Sequence, residues 1–345
     1  MSNFNRLLHP VKLSPLSTNP LVSILITNYN YSSFIVEAVE SVLNQTYQKF
    51  EILICDDGSS DNSVEVIQKL AKKDKRIHFI AKENGGHASA LNTAFLKSYG
   101  EIISILDADD RFLENKLALI VEVFSKNENI GLVAHKLKVV YGEQFIGYIP
   151  LQSISEGWLI EDVIWGRTIF LPPASGLSIR REVAMRCFPL PTHFRAGADR
   201  VLYYRCAAIT IIKSIERSLA IYRVHNSNTS LGIDIDKSIT IYKTTLEDIK
   251  KFVEEQHGIK LPQDHLKSMG ELEINSLILY KKLLNKQTNY MENIKRIKSL
   301  RLRVIWLILF LLPKKISLAF YRWWQGASRS RLLLYKLKKL FTIKS

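Results

Sequence analysis

The chain has 345 residues, 47% of them hydrophobic, which excludes a disordered polymer and suffices for one large α/β domain with a smaller appendage. Its three cysteines, Cys55, Cys187 and Cys206, are unclustered and odd in number, so a disulfide framework and a zinc site are disfavoured and a reducing compartment is expected. The formal net charge of +15 is local, because residues 293–345 hold 14 of the 48 Lys and Arg and no acid, leaving 34 basic against 33 acidic side chains elsewhere.

The amino-terminal half of the chain alternates strand and helix patterns. Residues 1–20 are polar and lack the pattern of a signal peptide, so we expect a loose leader and a cytoplasmic protein. Short apolar runs predict strands at 21–27, 50–55, 77–81 and 102–106. Apolar residues at helical spacing predict helices around 34–43, 64–70 and 90–95. This alternation predicts an α/β fold with a mostly parallel central sheet flanked by helices on both faces.

Each predicted strand is followed by a polar loop. In chain order these loops read TNYNY, DDGSSDNS, KENGGHAS and DADD. Ligands of open parallel sheets bind beyond the carboxyl ends of the strands, so we expect the four loops to meet at one crevice. Ordinary turn and cap chemistry explains any one of them alone. The four together favour a ligand site.

The DADD loop, residues 107–110, places carboxylates beside one another. Close carboxylates repel unless a proton or a cation relieves the repulsion. A divalent metal ion, Mg²⁺ or Mn²⁺, shared with substrate phosphates fits the D-x-D spacing of Asp107 and Asp109. The sequence has neither a GxxxxGK[ST] nor a GxGxxG loop after a strand, so we expect a cation to mediate phosphate binding.

The sequence contains, in this order, the segments VSILITNYNYSSF, FEILICDDGSSDNS, KENGGHASALNTAF and GEIISILDADD. In order and spacing these four segments resemble the family 2 glycosyltransferases, which have the GT-A fold. The segments PPASGLSIRREV, FRAGADRVLYYRCA and AIYRVHNSNTS are similar, more weakly, to the acceptor side of bacterial members. The resemblance implies a catalytic domain over 21–232, with a nucleotide-sugar half at 21–112 and an acceptor half at 113–232.

Carried over position by position, the resemblance implies roles for individual residues. The expected donor-binding residues are Thr27, Asn28, Tyr29, Asp56, Asn84, Gly85, Asp107, Ala108, Ser175 and Gly176. Asp56 would accept a hydrogen bond from the nucleotide base, and Ser175 would lie near the transferred sugar, with an ordinary turn as the alternative. Asp109 would bind the metal directly. His225 would be a further metal or diphosphate contact or, alternatively, a structural histidine.

One acid stands where the family carries its catalytic residue. Asp199 lies in GADRVLYYR, where many members have a Glu-Asp pair and this chain has Ala198 before Asp199. It would take the proton from the acceptor hydroxyl. The alternative is an Asp199 that caps a helix and forms a salt bridge with Arg200 or Arg205.

Beyond residue 232 the sequence becomes helical and then basic. Over 233–292 an apolar helical face predicts a helical appendage; its members include Ile239, Tyr242, Leu246, Ile249 and Val253. In 293–345 the apolar run at 304–312 is too short for a membrane span of about 20 residues. Flanked by basic residues and tryptophans, it predicts a peripheral anchor at the inner face of the cell membrane, with an ordinary packed helix as the alternative.

These patterns and the resemblance together predict a metal-dependent inverting glycosyltransferase that uses a nucleotide sugar, with UDP favoured, on a polysaccharide or glycolipid acceptor. A sugar nucleotidyltransferase is the alternative among enzymes, although the glycine-rich basic loop of such enzymes is missing here. A non-catalytic protein that binds nucleic acid through the basic tail is the alternative from another class. It is disfavoured because the tail interleaves its charges with Leu, Ile and Trp and adjoins no nucleic-acid module.

Overall fold

A computed structural model describes residues 8–165, 169–225, 227–228 and 235–261. In these ranges a nine-stranded sheet lies between two layers of helices. The strands are β1 (Val22–Asn28), β2 (Phe50–Asp56), β3 (Ile77–Ala81), β4 (Ile102–Asp107), β5 (Arg111–Phe112), β6 (Ile130–Tyr141), β7 (Gln144–Ile149), β8 (Leu177–Arg180) and β9 (Ile211–Val224). The helices are α1 (Ile35–Leu43), α2 (Ser63–Lys73), α3 (His87–Leu96), α4 (Lys116–Lys126), α5 (Ile160–Ile164), α6 (Arg181–Cys187), α7 (Ala198–Ile209) and α8 (Ile235–His257).

The amino-terminal half of the sheet is parallel, in the order β3-β2-β1-β4. Strands β1, β2 and β4 are almost wholly buried, as continuous apolar runs require when helices cover both faces. Their carboxyl ends are level, because Thr27 pairs with Cys55 on one side and with Asp107 on the other. The loops after these strands therefore emerge side by side.

The second half of the sheet brings further loops to the same edge. Strand β8 is antiparallel to both β4 and β6, and β6 is parallel to β9. The carboxyl end of β9 therefore reaches the edge where β4 ends. The predicted α/β class, with a mostly parallel central sheet flanked by helices, is confirmed.

Two apolar layers cover the sheet. One layer consists of α1, α2 and α4 and packs through side chains such as Ile35, Val39 and Ile120. The opposite layer consists of α3 and α5 to α8 and packs through side chains such as Leu91 and Val201. The site lies at the sheet edge between these layers, where the strands stop and the loops begin.

Two segments expected at the margins of the catalytic domain pack directly on it. Helix α8 buries Leu246, Ile249 and Val253 in the same core as α7, and Arg205 of α7 donates to both carboxylate oxygens of Asp248, at 2.9 and 2.5 Å. Residues 8–20, expected as a loose leader, run along the body of the protein. The N–H of Val11, for example, donates to the Ile209 carbonyl at 2.8 Å.

The predictions for the carboxyl-terminal region fall only partly on described residues. Residues 262–345, which include the rest of the predicted appendage and the basic tail, lie outside them. Within the described ranges, no helix combines the length and apolar character needed to cross a membrane.

Candidate active site

Asp56, the last residue of β2, ties the loop after β2 to the loop after β1. Its buried carboxylate accepts hydrogen bonds from the side-chain amide of Asn28 at 2.8 Å and from the Ser59 hydroxyl at 2.6 Å. Beside Asn28, Thr27 is half-buried and Tyr29 is 48% exposed at the mouth of the crevice. The predicted base-binding residues thus occur together at one end of the crevice.

Asp57 fixes the loop after β3. Its carboxylate accepts hydrogen bonds from the backbone N–H groups of Gly85 and Gly86, at 2.9 and 2.7 Å, and pairs with Lys82 at 2.7 Å. Its carbonyl accepts from the Asn84 side chain at 2.8 Å. Gly86 has φ +86°, a conformation that favours glycine. Asp57 is not among the residues predicted from the sequence. Its position as a second acid directly after a buried strand would have indicated a role in this site.

The DADD loop turns back on itself at the end of β4 and is supported from below by Ser175. The Asp110 N–H donates to the Asp107 carbonyl at 2.9 Å, which closes the turn. The Ser175 hydroxyl donates to the Asp110 carboxylate at 2.6 Å and accepts from the Asp107 N–H at 3.0 Å. Ala108, Asp110 and Ser175 are buried. Ser175 therefore holds the loop, and its predicted contact with the sugar, like that of the buried Gly176, stays a prediction.

Burial and repulsion control the charge of this loop. Burial, together with the negative charges of Asp110 and Asp109, holds the pKa of Asp107 well above its usual range. Burial and the charge of Asp109 likewise raise the pKa of Asp110. The ammonium group of Lys116 lies beneath the loop, where it donates to the Ser175 carbonyl at 2.8 Å, and burial lowers its pKa well below the usual value. Burial thus disfavours the charged forms of Asp107, Asp110 and Lys116 alike.

Asp109 faces outward from the loop toward the end of β9. Its Oδ2 lies 3.0 Å from Nε2 of His225 and accepts a hydrogen bond from the Asn228 amide at 3.0 Å. The His225 ring stacks on Phe34, with ring centres 4.3 Å apart. The structure therefore brings together the two predicted metal-binding side chains, which are 116 residues apart in sequence. Within the described ranges no group of three or more His, Cys, Asp or Glu side chains has the arrangement of a metal site.

Arg223 anchors the acid loop to the end of β9. Its backbone N–H donates to the Asp110 carboxylate at 3.1 Å, and its guanidinium donates to the Asp109 carbonyl. The same guanidinium pairs with Glu37 of α1 at 2.7 Å. Arg223 thereby holds the backbone from which Asp109 projects.

Asp199 lies in the first turn of α7, and the preceding loop positions it. In that loop the carbonyls of Arg195 and Phe194 accept the N–H groups of His87 and Ala88, at 3.1 and 3.2 Å, so α7 starts beside the beginning of α3. Burial lowers the pKa of His87, and the negative charge of Asp199 opposes this shift. In the described part of the chain, the buried Nε2 of His87 has no hydrogen-bond partner.

The structural alternatives for Asp199 do not match the contacts observed. Gly197 is the N-cap of α7, and no side chain forms a capping hydrogen bond there. Arg205 pairs with Asp248, and the guanidinium of Arg200 lies over the ring of Tyr242, 4.8 Å from its centre. Among the described residues, the half-buried carboxylate of Asp199 has no hydrogen-bond or ion-pair partner. It is available to accept a proton from a bound molecule.

Comparison with known proteins identifies the family of this chain. A family model described as glycosyl transferase family 2 matches residues 23–188. An uncharacterized glycosyltransferase from Nostoc sp. (strain PCC 7120) is 38% identical over 216 residues, which cover 61% of this chain and 67% of that protein. The chain belongs to glycosyl transferase family 2. The predicted family and the predicted activity class, a glycosyltransferase, are confirmed.

This family 2 glycosyltransferase matches other relatives over a smaller share of their length. Two solved structures are similar to it in fold alone. The hyaluronan synthase of Pasteurella multocida is 41% identical over 128 residues, 37% of this chain and 13% of that protein. The chain spans 29% to 37% of the length of three Rickettsia glycosyltransferases. S. aureus TarS 1-349 in complex with UDP-GlcNAc has a TM-score of 0.55 at 13% identity, covering 79% of this chain and 87% of that one. The mannosyltransferase PcManGT of Pyrobaculum calidifontis, with GDP-Man and Mn²⁺, has a TM-score of 0.55 at 18% identity, covering 94% and 88%. These likenesses confirm the GT-A fold.

The support that Ser175 gives to the acid loop can be measured. We expect Ser175→Ala to lower the free energy of unfolding by about 2 kcal/mol, because Asp110 loses a buried hydrogen bond and the Asp107 N–H loses its acceptor. Ser178→Ala is the matched control, since that buried hydroxyl pairs with the neutral Ser104 hydroxyl at 2.7 Å. Ser178→Ala should lower the free energy of unfolding by about 1 kcal/mol or less. Equal losses of the free energy of unfolding in urea would show that the contacts of Ser175 with the acid loop have no special weight.

Proposed function

We propose that this glycosyltransferase is metal-dependent and inverting, and that it transfers a sugar from a UDP donor to a saccharide or glycolipid acceptor. The observation that carries the proposal is the meeting of Asp109 and His225 at a crevice that Asp199 also faces. Burial and the charges of Asp110 and Asp109 raise the pKa of Asp107, and the charge of Asp199 adds to this effect. This supports placing the proposed cation ligands and the proposed base at one crevice.

Asp109 and His225 suit a divalent cation of the Mg²⁺ or Mn²⁺ type. The carboxylate oxygen and the imidazole nitrogen are 3.0 Å apart, and such ions commonly take one or two protein ligands and complete their shell with phosphate oxygens and water. Burial, and after it repulsion between neighbouring carboxylates, raises the pKa of Asp107 and Asp110, and a cation would relieve the repulsion. The Mn²⁺ in PcManGT supports the assignment. A bound cation would stabilise the negative charge of the departing diphosphate.

The donor would lie across the loops after β1, β2, β3 and β4. The Asp56 carboxylate already accepts two hydrogen bonds at Oδ2 and one at Oδ1, and Oδ1 keeps a lone pair that the imide N–H of uracil would fill. Tyr29 is exposed at the same end and offers a ring surface to the base. Asn84, Gly85, Asp107 and Ala108 are proposed to contact the rest of the nucleotide sugar. The UDP-GlcNAc in TarS supports uridine, whereas the GDP-Man in PcManGT makes guanosine the alternative to test.

Asp199 is proposed to act as the general base. As the acceptor oxygen attacks the anomeric carbon, the carboxylate would take the proton from that hydroxyl, and the bond from the anomeric carbon to the diphosphate would break on the opposite face. This single displacement inverts the configuration at that carbon. The absence of a competing partner for Asp199 in the described chain supports the role.

A saccharide acceptor is supported by similarity to the hyaluronan synthase of Pasteurella multocida. A lipid-linked acceptor would agree with the proposed peripheral attachment of the basic tail, residues 293–345, to the inner face of the cell membrane. Near an anionic surface each Lys or Arg contributes about 1 kcal/mol, and this segment has 14 of them.

Loss of the proposed cation ligand should remove metal dependence. We expect Asp109→Ala to lower Mn²⁺-stimulated release of nucleoside diphosphate by about 10²-fold or more, because charge on the leaving group is no longer stabilised. A screen of nucleotide sugars that measures diphosphate release provides the assay. Glu122→Ala, which removes an exposed acid on α4, should leave the rate of diphosphate release unchanged. Unchanged cation-dependent turnover in Asp109→Ala would refute the metal assignment.

Asp199→Asn keeps the shape of the side chain and removes the proposed base. We expect kcat to fall by about 10²-fold or more while the affinity for the donor is preserved. Asp236→Asn is the matched control, because Asp236 is an exposed acid in the first turn of α8 and carries the same helix-dipole interaction. A parallel loss of donor binding in Asp199→Asn would assign Asp199 a structural role.

Membrane attachment is tested with the full-length chain. We expect it to sediment with vesicles that contain phosphatidylserine and not with vesicles of phosphatidylcholine alone, because the basic tail is attracted to anionic lipid. High salt should release the bound protein, because it screens this attraction. Indifference to the anionic vesicles at low salt would exclude the anchor.

A further inference from the structure

An exposed arginine projects over the loop after β3. The guanidinium of Arg195, in the segment between α6 and α7, donates through Nη2 to the side-chain oxygen of Asn84. A Cβ added to Gly86 would lie 2.6 Å from the Arg195 Cα, so the two segments are in close contact. The Arg195 carbonyl also accepts the His87 N–H at 3.1 Å. The backbone of Arg195 is therefore held at the start of α3, while its side chain reaches the Asn84 side chain in the loop after β3.

Arg195 differs from the other cations around the crevice because its charge is uncommitted. Lys82 is paired with Asp57 and Arg223 with Glu37, each at 2.7 Å. Within the described ranges Arg195 has no carboxylate partner. Its neutral acceptor, Asn84, occupies one of the five guanidinium donors.

An incoming diphosphate needs such a cation. The crevice already contains a concentration of carboxylates, with Asp107, Asp109 and Asp199 near one another. The N-terminus of α3 does not offer its first N–H groups to an anion, because those of His87 and Ala88 already donate to loop carbonyls. The planar fork of a guanidinium matches a phosphate group in shape and charge.

We propose that Arg195 binds the second phosphate of the nucleoside diphosphate. The inference rests on the proposed use of a nucleotide sugar, and it adds a donor contact from the acceptor half of the chain. Placement favours the donor over an anionic acceptor, since the Asn84 loop that holds the guanidinium is itself bound to Asp57 at the end of β2.

Calorimetric titration of UDP and UMP, each with Mn²⁺, tests the proposal. UMP lacks the second phosphate, so Arg195→Ala should weaken UDP binding by about tenfold or more and leave UMP binding unchanged. Arg195→Lys keeps the positive charge without the planar, two-pronged donor geometry of the guanidinium. It should recover part of the UDP affinity that Arg195→Ala loses. Arg186→Ala, which removes an exposed arginine from α6, controls for the loss of one surface charge and should bind UDP like the wild type.

A second pair of variants tests whether Asn84 aims the guanidinium. If it does, the effects of Asn84→Ala and Arg195→Ala on UDP affinity should be less than additive in the double variant. Melting temperatures check that each variant is folded; the main-chain bonds of residue 195 do not need its side chain.

The outcomes separate the inference from the function on which it rests. Wild-type protein that binds neither UDP nor GDP would overturn both. If GDP is bound instead of UDP, the comparison is made with GDP and GMP. Wild-type affinity for the diphosphate in Arg195→Ala, or an equal loss for the mono- and diphosphate, overturns the role of Arg195 alone. A defect confined to turnover with an acceptor also overturns it and assigns the arginine to the acceptor.

Discussion

Repulsion among the carboxylates at the end of β4 is the constraint on which the site depends. Burial alone makes ionised Asp107 and Asp110 unfavourable, and their proximity to Asp109 adds to the cost. Two hydrogen bonds to the Asp110 carboxylate offset part of it, one from the Ser175 hydroxyl and one from the Arg223 backbone N–H. These contacts reach the loop from below and behind. Asp109 is left facing the crevice with His225, where a cation would complete the balance.

The same edge of the sheet is organised by carboxylates that bind backbone. Asp56 is the last residue of the buried strand β2, and Asp57 comes directly after it. The two carboxylates nevertheless bind different loops, because successive side chains of an extended chain point in opposite directions. One accepts the Ser59 N–H and the other accepts the N–H groups of two glycines. Such charge-assisted hydrogen bonds are stronger than neutral ones, so they fix the positions of the loops after β2 and β3.

The acceptor half reaches this preformed edge through close packing at α3. Gly86 leaves room for the backbone of residue 195, and the carbonyls of that segment take up the first N–H groups of α3. This contact sets where α7 begins and therefore where Asp199 lies. The pair Arg205–Asp248 then ties α7 to α8, so the first described helix of the predicted appendage packs against the helix that carries Asp199, the proposed base.

The sequence alone determined the strand–helix alternation, the convergence of polar loops and the candidate residues Asp107, Asp109, Asp199 and His225. These follow from local periodicity, from the rule that loops after parallel strands share an edge, and from motifs that resemble a known family. Only the tertiary structure decided the partners. The contacts of Arg195 with Asn84 and of Lys116 with Ser175 join residues 111 and 59 positions apart. The hydrogen bond from the Val11 N–H to the Ile209 carbonyl joins residues that are farther apart still. A local sequence pattern does not predict such pairings, because they form when separate elements pack together and each buried polar group needs a hydrogen-bond partner.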